Sequence, residues 1–469
     1  MLQQLSGLDA SFLYMETGRT FGHVSSILIF DLPEDDDFDL FAVYRARMER
    51  TLREFAPLTR RLVEVPFGLD HPYWTEDPDF DIEYHLRHIA VPPPGRQSQL
   101  DDLVSRLIGR PLDRSKPLWE AYVIEGLENR QAAVLTKVHH SALDGVAGAY
   151  MTQRLLSDDG DEGAAVHDHP AKSRAAVPGP MSMLGRASID LARRPRRMLK
   201  LQRNLLSEAW RLGRDPESRQ RIRGMASSVP RTPFNAPITA HRRFTFRSVP
   251  LSAIKDVKKA LGVTVNDVVM AMATGALRQY LLDHDALPDQ PLVAMVPVSI
   301  REIDDDPWTN RVSSIFAKLP TDLDDRADRV AAIGQTMAEA KEAHDLLPAE
   351  LLLESASVTP GRLGLQAARV ITNPRVVNLA PQPANVVISN VPGPREPLGL
   401  GPAAVRHYIP VSTIVDGQGL NITVQSYHDT LDIGLVACRE LVPDLDHLAG
   451  LHVAELMALA ELAEVEVSA

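Results

Sequence analysis

One short stretch concentrates the reactive side chains of this chain, Val138 to Gly148, VHHSALDGVAG. An apolar run, Ala132 to His139, reads as a strand that delivers His139 and His140. Asp144 follows four residues after His140, and Gly145 opens a run with helical spacing. Strand ends and the loops after them are where rigid scaffolds present reactive groups. A neutral imidazole, with an ordinary pKa near ~6.5, accepts a proton at neutral pH, so His140 can act as general base for a weak nucleophile such as a hydroxyl. If that hydroxyl attacks a thioester carbonyl, the oxyanion that forms needs hydrogen-bond donors. Spacing alone leaves two other readings open. The pair can be structural, or His140 and Asp144 at i, i+4 can ligate a metal, which usually wants a third and a fourth ligand. His167 and His169 are of the right type but lie in a loose stretch. There is no G-x-S-x-G elbow, no P-loop and no dinucleotide-type G-x-G-x-x-G. Direct transfer assisted by a base, without an acyl-enzyme, is therefore the economical chemistry.

The elements that must position these groups alternate irregularly between strand and helix. His23 to Asp31 (HVSSILIFD) reads as a strand, Phe38 to Arg53 and Leu100 to Ile108 as helices, the latter with Ser98 placed to cap it, and Gly145 to Leu156 as a helix with a small-residue face. Ser157 to Pro180 is poor in apolar anchors and reads as a flexible surface linker. Arg186 to Arg223 then holds 12 Arg or Lys against 4 Asp or Glu. Pro195 suits the first turn of a helix, where its missing N–H costs nothing. From there, Met198, Leu201, Leu205, Ala209 and Leu212 share one face and Arg197, Lys200, Arg203 and Arg211 the other, an amphipathic basic helix. Beyond Arg242 the spacing predicts strands at FTFRSVP, PLVAMVPVSI, NRVSSIFAKLP and ANVVISN, a hairpin of ITVQSY with LDIGLVA, and helices over Val265–Leu282 (capped by Thr264), Asp325–Ala343 and Pro443–Glu464. The expected organisation is 1–156 as an N-terminal domain, 157–225 as linker and crossover helix, and 226–469 as a C-terminal domain.

Bulk properties narrow the classes. The 469 residues are 44% hydrophobic and 24% charged, an ordinary globular composition rather than a disordered one. A net charge of -12 disfavours a general nucleic-acid binder. Cys438, the single cysteine, forbids an internal disulfide and fits a reducing compartment; its strand-like context IGLVACRE points to an inert core thiol. The N-terminus lacks the pattern of a secretory signal, and no stretch approaches the ~18 apolar residues of a transmembrane helix, so any membrane role is expected to be peripheral.

HHSALDG at 139–145 matches the H-H-x-x-x-D-G pattern of the CoA-dependent acyltransferase superfamily. LSGLDASFLYMET at 5–17, PLTRRLVEVP at 57–66, WTEDPDFDIEYHLRH at 74–88 and RPLDRSKPLWE at 110–120 add to it. In the second half TVNDVVMA at 264–271, MVPVSIR at 295–301, NRVSS at 310–314 and ISNVPGP at 388–394 do the same. Taken together, nearly the whole chain resembles the bacterial wax ester synthase/diacylglycerol acyltransferase family.

That resemblance implies an α/β fold of two chloramphenicol-acetyltransferase-like domains, each a mixed sheet with helices, with the active-site channel at their interface. It implies His140 as the base, Asp144 as structural support for the loop and His139 as a supporting residue. Gly145 is expected to allow a tight turn or a close backbone approach. Asn266 and Asp267 either cap a helix or shape the site opposite the histidine. Ser389 and Asn390 either form a plain turn or donate hydrogen bonds to the oxyanion or the donor. Pro117, Leu118 and Trp119 are expected to be packing residues. No metal and no bound cofactor is implied. Long-chain acyl-CoA is the co-substrate, and diacylglycerol or a fatty alcohol the acceptor. The family implies work at the inner face of a membrane or at lipid droplets by a cytoplasmic protein, with the basic helix as the docking element and a monomer sufficient. The competing readings are a standalone condensation-type or polyketide-associated acyltransferase and a non-catalytic lipid-droplet protein.

Overall fold

The computed structural model describes residues 3–52, 55–143, 145–156, 179–214, 229–299, 312–345, 374–379 and 382–466. Strand β1 (Gln3–Gln4) leads into helix α1 (Gly7–Met15), whose cap, Ser6, accepts the Asp9 amide at 3.0 Å. Then come β2 (His23–Asp31), α2 (Leu40–Thr51), β3 (Arg60–Val63), β4 (Tyr73–Glu76), α3 (Ile82–His85), β5 (Leu86–Ala90) and α4 (Gln97–Ile108). The first half closes with β6 (Trp119–Leu127), β7 (Gln131–His139) and α5 (Gly145–Leu156), and α6 (Pro180–Arg214) follows. The second half runs β8 (Arg242–Pro250), α7 (Leu251–Leu261), α8 (Val265–Asp283), β9 (Leu292–Ser299), β10 (Val312–Leu319), α9 (Arg326–Asp345), α10 (Pro374–Leu379) and β11 (Val386–Val391). It ends with β12 (Gly399–Leu400), β13 (Ala403–Val411), β14 (Leu420–Tyr427), β15 (Thr430–Cys438) and α11 (Leu445–Leu462).

Two six-stranded mixed sheets carry the molecule, in the orders β12-β13-β2-β7-β6-β5 and β10-β9-β11-β14-β15-β8, beside a small sheet β1-β4-β3. Central β7 is buried along nearly its whole length because both of its faces are covered. Its register against β2 sets His23 opposite His139. In the second sheet β14 and β15 form the expected antiparallel hairpin, and β11 lies parallel to β14. Helix α8 is buried along nearly its whole length against that sheet, which is why its sequence is apolar all round. Among the described residues no single helix is long and apolar enough to cross a membrane; the bent α7–α8 pair passes by length and composition.

The linear division into 1–156 and 226–469 does not follow sheet membership. Strands β12 and β13, from the second half of the sequence, complete the first sheet, with Tyr408 opposite Leu28. β13 also packs on β15, where a Cβ on Gly434 would meet the Pro410 carbonyl oxygen at 1.9 Å, so only glycine lets the two sheets approach there. The strand exchange ties the halves together and places its far end at their seam.

Three local expectations change. Helix α4 starts at Gln97, and its cap position is Arg96. There the Gln99 side chain accepts the Arg96 amide at 2.9 Å, leaving Ser98 inside the first turn. Helix α6 opens at Pro180, whose missing N–H is harmless in a first turn, and runs on with Pro195 inside it. The two-faced reading of α6 is also too simple: Leu201 is buried while Met198 is 51% exposed. The linker assigned to Ser157–Pro180 lies, up to residue 178, outside the described residues, as do His167 and His169.

Candidate active site

Helix α1 supplies the support for both histidines. Phe12 lies in α1, and Glu16 is the extended residue that caps its C-terminal end. The Phe12 ring stacks on His140 with centroids 4.2 Å apart and planes within 11°. Glu16 Oε1 lies 3.3 Å from His139 Nε2, a polar contact outside good hydrogen-bond geometry, and accepts the Gly22 amide at 2.8 Å. The other oxygen, Oε2, takes Arg114 Nε at 3.0 Å and Nη2 at 2.7 Å. Burial alone would raise the Glu16 pKa. The contact with His139, the Gly22 amide and Arg114 outweigh it and hold the carboxyl down to about 2.

These contacts separate the roles of the two adjacent histidines. His139 is 1% exposed. The Ser141 amide donates to its Nδ1 at 3.0 Å, so that nitrogen is the acceptor and the ring proton sits on Nε2, toward Glu16. Its backbone amide is held by the Leu118 carbonyl at 2.9 Å. His140 is held through its own amide, donated to the Gly22 carbonyl at 2.8 Å, and its side chain lines a cavity instead.

Segments far apart in sequence converge behind the loop. Trp119 is buried, donates Nε1 to the Leu58 carbonyl at 2.7 Å, and stacks on His85, whose Nδ1 donates to the Trp119 carbonyl at 2.7 Å. Leu118 and Trp119 are thus packing residues, as expected, and they also fix the strand that carries the histidines. Buried Lys137 in β7 donates to the Leu107 and Arg110 carbonyls and stands 3.5 Å from Glu120.

The cavity, of about 280 Å3, is walled mostly by apolar side chains from both halves of the chain. Val24, Val138, Leu143 and Met151 come from the first half, and Val298 and Val387 from the second. Polar side chains are interspersed along the same wall, Ser25, Ser26, Thr136, Thr152 and Tyr408 among them. Ser389 and Asn390 at the end of β11 are two more, and no hydrogen bond engages either side chain among the described residues. Ser412, Thr423 and Gln425 lie in the same lining.

The expected site residues therefore separate. His140, Ser389 and Asn390 meet at one cavity. Gly145 is the first residue of α5. Asp144 lies outside the described residues. Asp267 is committed to a capping box: it accepts the Thr264 amide at 2.9 Å and hydroxyl at 2.7 Å, and its own amide donates back to Thr264 Oγ1 at 3.1 Å. Neither Asn266 nor Asp267 is among the lining residues. Among the described residues no group of three or more His, Cys, Asp or Glu could hold a metal ion. Cys438 is buried at the end of β15, its sulfur 3.4 Å from the Thr239 amide. Sequence reasoning missed Phe12, Glu16, Gly22 and Arg114. All but Gly22 stand inside the segments at 5–17 and 110–120, so the signal was their clustering in those segments.

Comparison with known proteins agrees with this geometry. Residues 5–269 match the family model of the wax ester synthase/diacylglycerol acyltransferase catalytic domain, and residues 308–460 that of the WS/DGAT C-terminal domain. A putative diacylglycerol O-acyltransferase from Mycobacterium bovis is 37% identical over 94% of this chain and 95% of its own. An O-acyltransferase WSD from Acinetobacter baylyi is 34% identical over 95% and 94%. The solved wax ester synthase/diacylglycerol acyltransferase of Marinobacter aquaeolei superposes with a TM-score of 0.70 at 32% identity, covering 99% of this chain and 100% of that one. The first condensation domain of the CDA synthetase shares the fold alone, with a TM-score of 0.58 at 18% identity over 100% and 99%. With both family models matched in order along one chain, and with a histidine of the shared motif at a cavity between its halves, the protein belongs to the wax ester synthase/diacylglycerol acyltransferase family and is an acyltransferase.

Proposed function

We propose that the protein transfers a long-chain acyl group from acyl-CoA to the hydroxyl of diacylglycerol, and of a fatty alcohol where one is offered, with His140 as general base. The observation that carries this reading is the placement of His140 at a largely apolar cavity while His139 is buried, its Nδ1 taken by Ser141 and its Nε2 facing Glu16. His140 removes the hydroxyl proton as the oxygen attacks the thioester carbon. The tetrahedral intermediate then collapses to the new ester. The CoA thiolate leaves and takes the proton back from the imidazolium, so no group on the enzyme is consumed. Ser389 and Asn390 are the groups we assign to the oxyanion or the donor, because their side chains are uncommitted at the same wall. Asp144 keeps its proposed role in holding the loop.

Both acceptors are lipids, and α6 supports a surface role. Met198, Leu199 and Trp210 are more than half exposed beside Arg196, Lys200 and Arg203, the composition of a helix that lies on an anionic membrane or droplet.

The test is acyl transfer by purified protein from radiolabelled palmitoyl-CoA to diacylglycerol or hexadecanol, beside a folded His140→Ala variant. Loss of the base lowers the rate by ~10²–10⁴. Equal rates for both proteins would overturn the assignment of His140. No transfer by the wild type would favour a droplet coat or a carrier-dependent enzyme.

A further inference from the structure

A second cleft, of about 400 Å3, lies where the C-terminal end of α4 meets the start of β8. Arg106, Arg110, Arg242, Arg243 and Arg439 line it. His241 and one carboxylate, Asp102, are also in the lining. So dense a cluster of cations is unexpected in a chain of net charge -12, and it costs like-charge repulsion unless something anionic fills it.

The arginines differ in how they are used. Arg242 is part of the wall. It donates to the Arg19 and Thr239 carbonyls, and its guanidinium sits 5.0 Å from the Phe21 ring centroid. Burial pushes its pKa down to about 10, against Cys438, Asp416 and Glu440, which raise it. Arg439 reaches Glu440 and His241. Arg106 and Arg110 are exposed and, among the described residues, pair with no carboxylate. The Nε of Arg243 is buried with no hydrogen-bond partner. The cleft thus holds guanidinium forks without acceptors, the donor geometry that matches phosphate oxygens.

Its wall is also the wall of the histidine loop. Phe21, under Arg242, stacks on His23, whose Nε2 donates to the Ile108 carbonyl at 3.0 Å near the end of α4. Between those two residues, Gly22 holds the amide of His140. One turn of chain therefore joins the arginines to the base.

We propose that this cleft binds the phosphate groups of the acyl donor, so that a coenzyme A thioester is held at its anionic end between the two halves while its acyl end reaches His140. The inference rests on the acyltransferase reading above. Several arginines suit a ligand with a diphosphate and a phosphate monoester better than one with a single phosphate. A phospholipid headgroup is the other source of the same chemistry.

The experiment compares wild type with Arg106→Gln/Arg110→Gln and with Arg243→Gln, each first shown to be folded by circular dichroism. Calorimetry with adenosine 3′,5′-bisphosphate reads the cleft without any turnover. Kinetics with palmitoyl-CoA against palmitoyl-N-acetylcysteamine, which has no phosphate, read its use. The expected result is bisphosphate binding that weakens roughly ten- to hundredfold per lost contact in the variants, with the kcat/KM preference for the CoA thioester falling in step. Bisphosphate affinity and donor preference unchanged in the variants would overturn the proposal. So would an unchanged preference accompanied by lost sedimentation with phosphatidylserine vesicles, which would assign the cleft to lipid headgroups. If the wild type transfers from neither thioester yet binds the bisphosphate through these arginines, the acyltransferase reading fails and the phosphate site stands.

Discussion

The carbonyl of Gly22 accepts the amide of His140 at 2.8 Å, and a Cβ on Gly22 would lie 2.4 Å from Nε2 of the neighbouring His139. One residue thus sets the backbone of the proposed base and leaves room for the ring beside it. His139 cannot yield easily, because it is buried, Ser141 holds its Nδ1 and Glu16 stands against its Nε2. Gly22→Ala is therefore expected to push the loop out of place. A misplacement of about 1 Å costs on the order of 10²-fold in rate, and overpacking costs about 1–3 kcal/mol in stability. Steady-state kinetics with a melting curve check both. A variant with wild-type kcat/KM would show that the loop tolerates the shift.

Glu16 links α1 to the rest of the site, and its pKa is held down to about 2 from 4.5 although burial works the other way. A depressed carboxylate stabilises the fold above its unfolded pKa and loses that contribution as pH falls through its folded value. The window is therefore about pH 4.5 down to about 2, and the full shift corresponds to about 3 kcal/mol. Glu16→Gln should lower stability at pH 7 and remove part of the acid sensitivity in that window. Urea titrations at pH 7, 4.5 and 3 measure it. A constant difference between variant and wild type at all three would assign the loss to packing rather than charge.

Much of this was legible beforehand because it rests on short-range signals. The span of β2, the β14–β15 hairpin and the Thr264-capped helix each follow from periodicity and local cap chemistry over a few residues. The β13 exchange was hidden because nothing in AAVRHYIPV says whether its neighbour is β2 or β15; the assembled sheets decide it, since β15 has β14 and β8 on its two edges and β2 has an edge open to β13. In the site, His140, Ser389 and Asn390 were named from motifs, whereas Phe12 and Glu16 were not. A phenylalanine and a glutamate have no chemistry of their own to announce, and act only through what they touch. Asn266 and Asp267 show the converse: polar residues at a helix start have a sufficient local use, and for Asp267 the capping box is that use.

Helix α6 gives a prediction about lipid surfaces. Leu199 and Trp210 are 60% and 63% exposed, while Met183 and Ala187, near its start, pack against Val65 and Tyr73 beside the small sheet. The start is thus anchored on the protein while the exposed apolar residues further along remain available to a membrane. Each basic residue near an anionic surface contributes about 1 kcal/mol, and the apolar side chains add to it. Leu199→Ser/Trp210→Ser and Lys200→Gln/Arg203→Gln should each reduce sedimentation with phosphatidylserine vesicles, the second pair more strongly at low salt. Unchanged sedimentation of both pairs would remove α6 as the docking element.

The seam between α4 and the second sheet carries a pH dependence of opposite sign to that of Glu16. Asp101 is buried there. Thr245 donates its hydroxyl to Oδ2 at 2.9 Å, and Oδ1 has no partner. Burial raises its pKa from 3.8 to about 7, with Asp446 and Asp102 adding to the rise and Thr245 and Arg247 opposing it. The folded chain then keeps a proton that the unfolded chain gives up near pH 3.8, so stability falls as pH rises from about 3.8 to about 7 and is level above. The full shift corresponds to about 4 kcal/mol at most. Asp101→Asn keeps an acceptor for Thr245 and removes the charge. Its melting temperature should exceed that of the wild type at pH 8 and converge with it at pH 4. If the two curves instead run parallel across that range, Asp101 is ionised in the folded protein and Arg247 is sufficient to hold its charge at the seam.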